Sequence, residues 1–188
     1  MLDRRAVVRT LLADRGELVC VAGLGGTAWD VAAAGDDDLD LPLWGAMGGA
    51  AMLGLGIALA QPERPVLVVT GDGEQLMALG ALATIAGARP ANLTVAVLDN
   101  ERYGETGSQV THTALDTDLA AVAAGCGIAD ARTVRDEAGV AALRDAVHAR
   151  RGPCFAAVKI TPDRPPLVLP PRDGALLARR LRAALGVE

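Results

Sequence analysis

Val66-Leu67-Val68-Val69-Thr70-Gly71-Asp72-Gly73 decides the fold, because an apolar run of strand length ends there in a carboxylate between two glycines. A second apolar run covers 93–98 and leads into Asp99-Asn100. Unbroken apolar runs are typical of parallel strands that are buried on both faces. We therefore predict an α/β fold with a doubly wound, mostly parallel sheet that carries helices on both faces. The two strands are expected to present their polar ends at one edge, where open α/β sheets bind ligands.

The residue types at this edge indicate a site for a divalent cation and a phosphate. The glycines around Asp72 let the backbone turn sharply and leave the carboxylate exposed. The next segment begins a helix, whose free amides favour a phosphate. Asn100 offers an amide oxygen, and the turn at 101–103 can offer a main-chain carbonyl. One carboxylate together with neutral oxygens is typical of a Mg²⁺ site, and Mg²⁺ commonly completes its shell with phosphate oxygens.

The segments Gly71-Asp72-Gly73 and Asp99-Asn100 together resemble the GDG…NN signature of enzymes that use thiamine diphosphate (ThDP). At 45–48 and 103–109 the chain is also similar to the β subunits of sulfopyruvate decarboxylase and to the C-terminal half of phosphonopyruvate decarboxylase. The similarity covers roughly residues 5–160. Asp99 departs from the family pattern, which has asparagine there, but the inferred metal ligands are intact. The fold implied is the diphosphate-binding (PP-type) domain of ThDP enzymes.

The resemblance implies roles for particular residues. The side chains of Asp72 and Asn100 and the carbonyl of Arg102 would hold Mg²⁺, which binds the diphosphate. The carbonyl of Gly45 would accept a hydrogen bond from the aminopyrimidine, and Met47 would wedge between the two cofactor rings. The other residues expected at the cofactor are Gly25, Gly26, Thr27, Gly71, Gly73, Glu74, Tyr103, Gly104, Glu105 and Thr106.

Some of these residues have alternative explanations. Thr27 could simply be the N-cap of the helix that follows it. Glu74 is expected in the first turn of its helix, where acids are common, so a structural or phosphate-adjacent role is favoured over a catalytic one. The polar segment 103–113 is expected to be a loop beside the metal site, and such loops often close over substrate. Within it Gln109 and His112 are candidates for catalysis together with Met47, although a solvent-exposed histidine is the alternative for His112.

The function implied by the resemblance is the β subunit of a two-component decarboxylase that depends on ThDP and Mg²⁺. Its substrate would be a small anionic 2-oxo acid, with phosphonopyruvate or sulfopyruvate as the first candidates. The glutamate that activates the cofactor in this family comes from a pyrimidine-binding domain, for which 188 residues leave no room. We therefore expect a separate α subunit and an α₂β₂ assembly. A carboligase subunit of the acetolactate synthase type shares the same motifs and is the alternative within the family.

Two further alternatives come from outside the family. The spacing Gly23-x-Gly25-x-x-Ala28 fits a relaxed dinucleotide fingerprint and would indicate a nucleotide-binding oxidoreductase. However, no clear second strand ending in an acid follows about 20 residues on, as that motif requires. The chain could also be a scaffold without catalytic activity. The net charge of −5 and the four aromatic residues do not favour a nucleic-acid partner.

The composition predicts one domain followed by a tail. Residues 1–162 are expected to form the ThDP-binding domain, and 163–188 a proline-rich tail with a helix that docks on the domain or on a partner. The segment 41–60 is uncharged and about as long as a membrane span, but its proline and glycines favour a buried helix. The helical runs 47–59 and 74–86 both lack a charged face, which predicts a large subunit interface. With three widely spaced cysteines and no evident secretory signal, we expect a cytoplasmic protein without a membrane segment.

Overall fold

The computed structural model describes residues 1–187 and contains a main sheet of parallel strands. The strands in chain order are β1 (Val19–Ala22), β2 (Asp40–Pro42), β3 (Val66–Gly71), β4 (Leu93–Asp99), β5 (Arg102–Tyr103), β6 (Gln109–Val110), β7 (Asp130–Val134) and β8 (Cys154–Lys159). The main sheet has the order β2-β1-β3-β4-β8-β7, and its neighbouring strands are parallel. Strands β5 and β6 form a separate antiparallel hairpin. The predicted doubly wound parallel sheet is confirmed.

Helices cover both faces of this sheet. In chain order they are α1 (Arg4–Leu12), α2 (Gly26–Ala34), α3 (Ala50–Ala60), α4 (Asp72–Met77), α5 (Leu79–Ala88), α6 (Leu119–Gly125), α7 (Glu137–His148) and α8 (Gly174–Ala184), with a 3₁₀ turn at His112–Ala114. Alternate side chains of β3 enter two different cores. Val66 and Val68 pack with residues of α3, α5, α6 and α8, whereas Leu67 and Val69 pack with residues of α1, α2 and α7. The apolar runs of the sequence therefore follow from burial of the sheet on both faces.

Helix α3 starts later than the prediction of 47–59 and is only partly buried. It begins at Ala50, because a turn with positive φ angles at Ala46 (55°) and Gly48 (93°) precedes it. One side of the helix is buried against the sheet. The large apolar residues that it exposes in the single chain are Met52, Leu53 and Leu59. In the part of the chain that the structure describes, no helix is long and apolar enough to cross a membrane.

The helix predicted at 74–86 is two helices. Helix α4 begins at Asp72, directly after β3, and α5 follows a break at Ala78, whose φ of −129° lies outside the helical range. The buried side chain of Gln75 donates from Nε2 to the carbonyl of Ala78 at 3.2 Å. This bond satisfies a backbone acceptor at the break. Helix α4 can therefore stay at the sheet edge while α5 packs on the same face of the sheet as α3.

The proline-rich segment 161–173 has no regular secondary structure and lies on the outside of the domain. Trp44 Nε1 donates to the carbonyl of Pro171 at 2.8 Å, which attaches the end of this segment to the domain. Helix α8 then packs its buried leucines against the domain, so the predicted docking helix lies on its own chain. The division between residues 162 and 163 stays a prediction, and residue 188 of the predicted tail lies outside the described residues.

Candidate functional site

The carboxyl ends of β1, β3 and β4 meet at a cavity of about 200 Å³. In the parallel register Gly71 lies beside Leu98, so the segments 71–74 and 99–106 leave the sheet at the same edge. The structure brings most of the predicted cofactor residues together around this cavity. Those that line it are Gly26, Thr27, Met47, Gly71, Asp72, Gly73, Glu74, Asn100, Arg102, Tyr103, Gly104, Glu105 and Thr106.

Asp72 is the first residue of α4, and its carboxylate is buried rather than exposed as the sequence suggested. Two hydroxyl groups from the chain after β6 cover it. Thr111 Oγ1 donates to Asp72 Oδ2 at 2.5 Å, and Thr113 Oγ1 lies 3.2 Å from the same oxygen. Burial raises the pKa of Asp72, the hydrogen bond from Thr111 opposes this, and the nearby carboxylate of Asp99 raises the pKa further. A divalent cation beside Asp72 would favour its ionised form.

The turn that follows β4 is held by side-chain oxygens. Asp99 Oδ1 accepts from the backbone amide of Glu101 at 3.2 Å, and Asn100 Oδ1 accepts from the amide of Arg102 at 3.0 Å. Glu101 has a φ of 62°, a left-handed conformation that non-glycine residues rarely adopt. These bonds stabilise the unusual backbone and fix the direction of the carbonyls in the turn.

Lys159, at the end of β8, lies between two carboxylates of this turn. Its Nζ is 2.7 Å from Asp99 Oδ2 and 2.8 Å from Glu101 Oε1. Burial lowers the pKa of Lys159, but the hydrogen bonds to Asp99 and Glu101 outweigh it, and the net shift is upward. Thr113 Oγ1 links Asp99 to Asp72, because it donates to Asp99 Oδ1 at 2.7 Å. The carboxylate that replaces the expected asparagine at 99 is therefore neutralised by a lysine on the next strand.

The ligand chemistry of the candidate metal site fits Mg²⁺. The Asp72 carboxylate, the Asn100 amide oxygen and the carbonyl of Arg102 are hard oxygen donors, and one or two carboxylates suffice for Mg²⁺ when phosphates and water complete the shell. Asn100 Oδ1 keeps a second lone pair besides the one that accepts from the backbone. Within residues 1–187 no three His, Cys, Asp or Glu side chains group as metal ligands.

Glu74 joins two loops at the cavity. Its Oε2 accepts from the amide of Leu24 at 2.9 Å, and its Oε1 accepts from the amide of Gly48 at 3.2 Å. A side chain on Gly23 would overlap this carboxylate, so the loop can approach only because residue 23 is glycine. The buried carboxylate thus holds the glycine-rich loop next to the turn that carries Met47. These contacts agree with the structural alternative for Glu74.

The glycine-rich loop differs in one detail from the sequence interpretation. Thr27 is not the N-cap of α2, because Gly25 occupies that position and Thr27 Oγ1 donates to the carbonyl of Gly23 at 2.8 Å. Gly25 has a φ of 75°, which favours glycine. Elsewhere in the lining, a Cβ on Gly73 would lie 2.7 Å from the ring of Tyr103, so glycine lets that ring pack against the start of α4.

Four of the predicted residues do not line the cavity, namely Gly25, Gly45, Gln109 and His112. Gln109 is exposed and exchanges hydrogen bonds with Thr106 inside its own hairpin loop. His112 is exposed at the start of the 3₁₀ turn, which agrees with the solvent-exposed alternative. Met47 lines the cavity and is 41% exposed, so it lies at the opening. A catalytic role for Met47, Gln109 or His112 stays a prediction.

The sequence interpretation missed Thr111, Thr113 and Lys159. Lys159 stands at the end of an apolar run, as Asp72 and Asp99 do. The principle that the carboxyl ends of parallel strands share an edge could therefore have placed Lys159 at the site. It is also the single lysine of a chain that uses arginine at its 17 other basic positions. The compact ammonium of lysine fits between two carboxylates where the larger planar guanidinium would need more room. No local pattern distinguishes the two threonines from other loop residues.

Residues 33–158 match the family model of the thiamine pyrophosphate enzyme C-terminal TPP binding domain. The chain is 45% identical over 125 residues to a phosphonopyruvate decarboxylase of Streptomyces hygroscopicus, covering 66% of this chain and 31% of that protein. It is 37% identical over 123 residues to a sulfopyruvate decarboxylase subunit beta of Methanocaldococcus jannaschii, covering 65% of each. It is 36% identical over 162 residues to the subunit beta of Methanothermobacter thermautotrophicus, covering 86% of this chain and 84% of that one. The matched segment thus covers between 31% and 84% of the length of these relatives.

Two solved structures share the fold. One is described as a putative thiamin diphosphate-dependent enzyme isolated from Mycobacterium smegmatis, with a TM-score of 0.70 and 23% identity over 86% of this chain and 32% of that one. The other is benzoylformate decarboxylase from Polynucleobacter necessarius, with a TM-score of 0.67 and 21% identity over 88% of this chain and 34% of that one. At these identities the likeness concerns the arrangement of the sheet and helices alone.

Proposed function

The chain belongs to the thiamine pyrophosphate enzymes, and from this premise we propose that it is the β subunit of a two-component decarboxylase that uses ThDP and Mg²⁺. Thiamine pyrophosphate and ThDP are the same cofactor. The observation that carries the proposal is the meeting of Asp72, Asn100 and Arg102 around one cavity at the carboxyl edge of the sheet. The family match covers the segment that contains all three.

In this proposal the chain's own residues bind and orient the cofactor. Asp72, Asn100 and the Arg102 carbonyl would hold Mg²⁺, and the loop at Gly26 and Thr27 would face the diphosphate. Bound ThDP supplies the electron sink that decarboxylation of a 2-oxo acid requires. Glu74 links the glycine-rich loop to the turn before α3 through hydrogen bonds from the amides of Leu24 and Gly48. The 103–106 segment lines the same cavity and would limit access of water.

An exposed apolar surface supports a partner subunit. Met47 at the cavity opening is 41% exposed, and Met77, whose Cβ lies close to Gly48, is 64% exposed. Helix α3 adds Met52 and Leu53, also exposed. Grouped large apolar side chains on a surface are typical of protein–protein contacts. We propose that a separate pyrimidine-binding α subunit covers this surface, brings the activating glutamate and forms an α₂β₂ assembly.

The substrate proposed is a small anionic 2-oxo acid, because relatives with the matching domain are named phosphonopyruvate and sulfopyruvate decarboxylases. The test is purification of the chain with the product of an adjacent open reading frame, followed by a panel of 2-oxo acids with Mg²⁺ and ThDP. Release of carbon dioxide together with the corresponding free aldehyde from sulfopyruvate or phosphonopyruvate supports the proposal. Condensation of two 2-oxo acids without aldehyde release would indicate the carboligase alternative. Hydride transfer with NAD(P)H would indicate an oxidoreductase. A complex that neither turns over any of these acids nor binds ThDP would indicate a scaffold.

The metal role of Asp72 has its own test. Asp72→Asn keeps the size and leaves an oxygen that can accept from Thr111, but it removes the charge. Mg²⁺-dependent binding of ThDP should therefore fall by at least about 100-fold, as expected when a charged group loses its ionic partner. Asp116→Asn, an exposed carboxylate outside the cavity, is the matched control. Calorimetric titration of ThDP into each variant with excess Mg²⁺ gives the two affinities. Equal affinities for Asp72→Asn and the wild type would rule out the metal role.

A further inference from the structure

A guanidinium group that the sequence did not single out lies in the wall of the candidate cofactor cavity. Arg4 is the first residue of α1, and a Cβ placed on Gly26 would overlap its Nη2 atom. The Arg4 guanidinium therefore rests directly on the first residue of α2. It lines both the cofactor cavity and a neighbouring cavity of about 460 Å³.

The orientation of Arg4 is set by a buried carboxylate. Asp30, whose side chain is 1% exposed, accepts from Arg4 Nε at 2.5 Å, and the Arg4 side chain itself is 11% exposed. That bond uses one of the five N–H groups of a guanidinium. Within residues 1–187 the Arg4 Nη atoms make no hydrogen bond. Arg5 also faces Asp30, at 3.6 Å, but its Nη2 donates to the carbonyl of Pro166 in the tail.

The balance of charges around the cavity favours binding of an anion at Arg4. The cavity lining carries three carboxylates, on Asp72, Glu74 and Glu105, and two guanidinium groups, on Arg4 and Arg102. With Mg²⁺ at Asp72 the balance becomes positive, which suits a diphosphate. Arginine binds phosphate oxygens through two parallel hydrogen bonds, and the free Nη atoms of Arg4 have the geometry for this.

The lining also indicates which end of the cofactor Arg4 faces. The residues shared by both cavities include the two arginines, whereas the apolar residues Leu24, Met47 and Leu98 line the smaller cavity alone. A ligand whose apolar rings contact Leu24, Met47 and Leu98 would place its charged end at the boundary shared by the two cavities. We propose that Arg4, oriented by Asp30, binds the terminal phosphate of ThDP. This inference rests on the proposed function.

The test is to replace Arg4 and compare ligands that differ by that phosphate. Arg4→Met should weaken Mg²⁺-dependent ThDP binding by about 10- to 100-fold, the range for a charge-assisted hydrogen bond, and should change binding of thiamine monophosphate by less than about threefold. Arg4→Lys should restore part of the ThDP affinity, because it keeps the charge. Arg9→Met, an exposed position on the same helix, should leave both affinities unchanged. The measurement is calorimetric titration of each ligand into the full chain, alone and with its partner subunit.

If Arg4→Met does not fold, Arg4→Met/Asp30→Asn is used in its place, because it removes the carboxylate that would otherwise lose its partner. ThDP affinities equal to the wild type would overturn the role of Arg4. A parallel fall for ThDP and thiamine monophosphate would also overturn it, since it would indicate a purely structural effect. Wild-type protein that binds no ThDP, alone or with its partner, would instead overturn the proposed function.

Discussion

The strongest energetic prediction concerns Lys159, which neutralises buried carboxylate charge next to the candidate metal site. In the ion pair with Asp99 the side chains are 11% and 2% exposed, so both charges are largely removed from water. Breaking a buried pair by removing one partner destabilises proteins by about 3–5 kcal/mol, because the remaining charge is uncompensated. The second partner, Glu101, is 31% exposed and should contribute less than about 1 kcal/mol. Lys159→Met should therefore lower the free energy of unfolding by about 3 kcal/mol.

A double-mutant cycle separates this effect from a simple loss of packing. Asp99→Asn introduces the asparagine of the family signature, so in the Lys159→Met background it removes the uncompensated charge and should restore about 2–3 kcal/mol. The assay is urea unfolding of the isolated chain at pH 7, followed by circular dichroism and tryptophan fluorescence to check that the transition is two-state.

A surface pair gives the matched control for this cycle. Arg150 and Glu63 are separated by 2.8 Å, similar to Lys159 and Asp99, but their side chains are 39% and 87% exposed. The coupling energy between Arg150→Met and Glu63→Gln should be below about 1 kcal/mol. If the changes at 159 and 99 were additive within about 0.5 kcal/mol, the buried pair would not have the energetic role assigned to it.

Two further predictions concern packing and pH. Gly56→Ala should raise the free energy of unfolding by about 0.5–1 kcal/mol, because alanine has the higher helix propensity and no atom lies within 4 Å of the added Cβ. Gly54→Ala should lower it by about 1–2 kcal/mol, because the added Cβ would overlap Val68 Cγ2. Chemical unfolding of both variants checks this, and equal stabilities would contradict the close contact of α3 with β3. Burial raises the pKa of Asp40 from 3.8 to about 6, although the charge of Arg15 opposes this shift. The folded state therefore binds the proton more tightly than the unfolded state. The resulting stabilisation is complete below about pH 4 and is lost as the pH rises through about 6. Between pH 4.5 and 7 the wild type should lose about 2 kcal/mol relative to Asp40→Asn, and parallel pH profiles in urea unfolding would refute this.

The fold and the position of the site could be predicted because they depend on local patterns. Apolar runs without polar alternation indicate strands buried on both faces, and the carboxyl ends of parallel strands must share an edge. Asp72 and Asn100 follow two such runs, so their proximity needed no further information. The division of one predicted helix at Ala78 could not be predicted in the same way, because both halves have the same uncharged composition.

The sequence by itself therefore determined the class of sheet, the edge that carries the candidate site and the polar residues Asp72 and Asn100 at that edge. Only the tertiary structure decided what surrounds these residues. Thr111 covers Asp72 from 39 positions away in the sequence. Lys159 lies beside Asp99 because of the register of β4 and β8, and Asp30 orients Arg4 at the cavity. Such contacts depend on how separate segments pack. A short-range sequence pattern indicates only which residues lie on the same side of their own strand or helix.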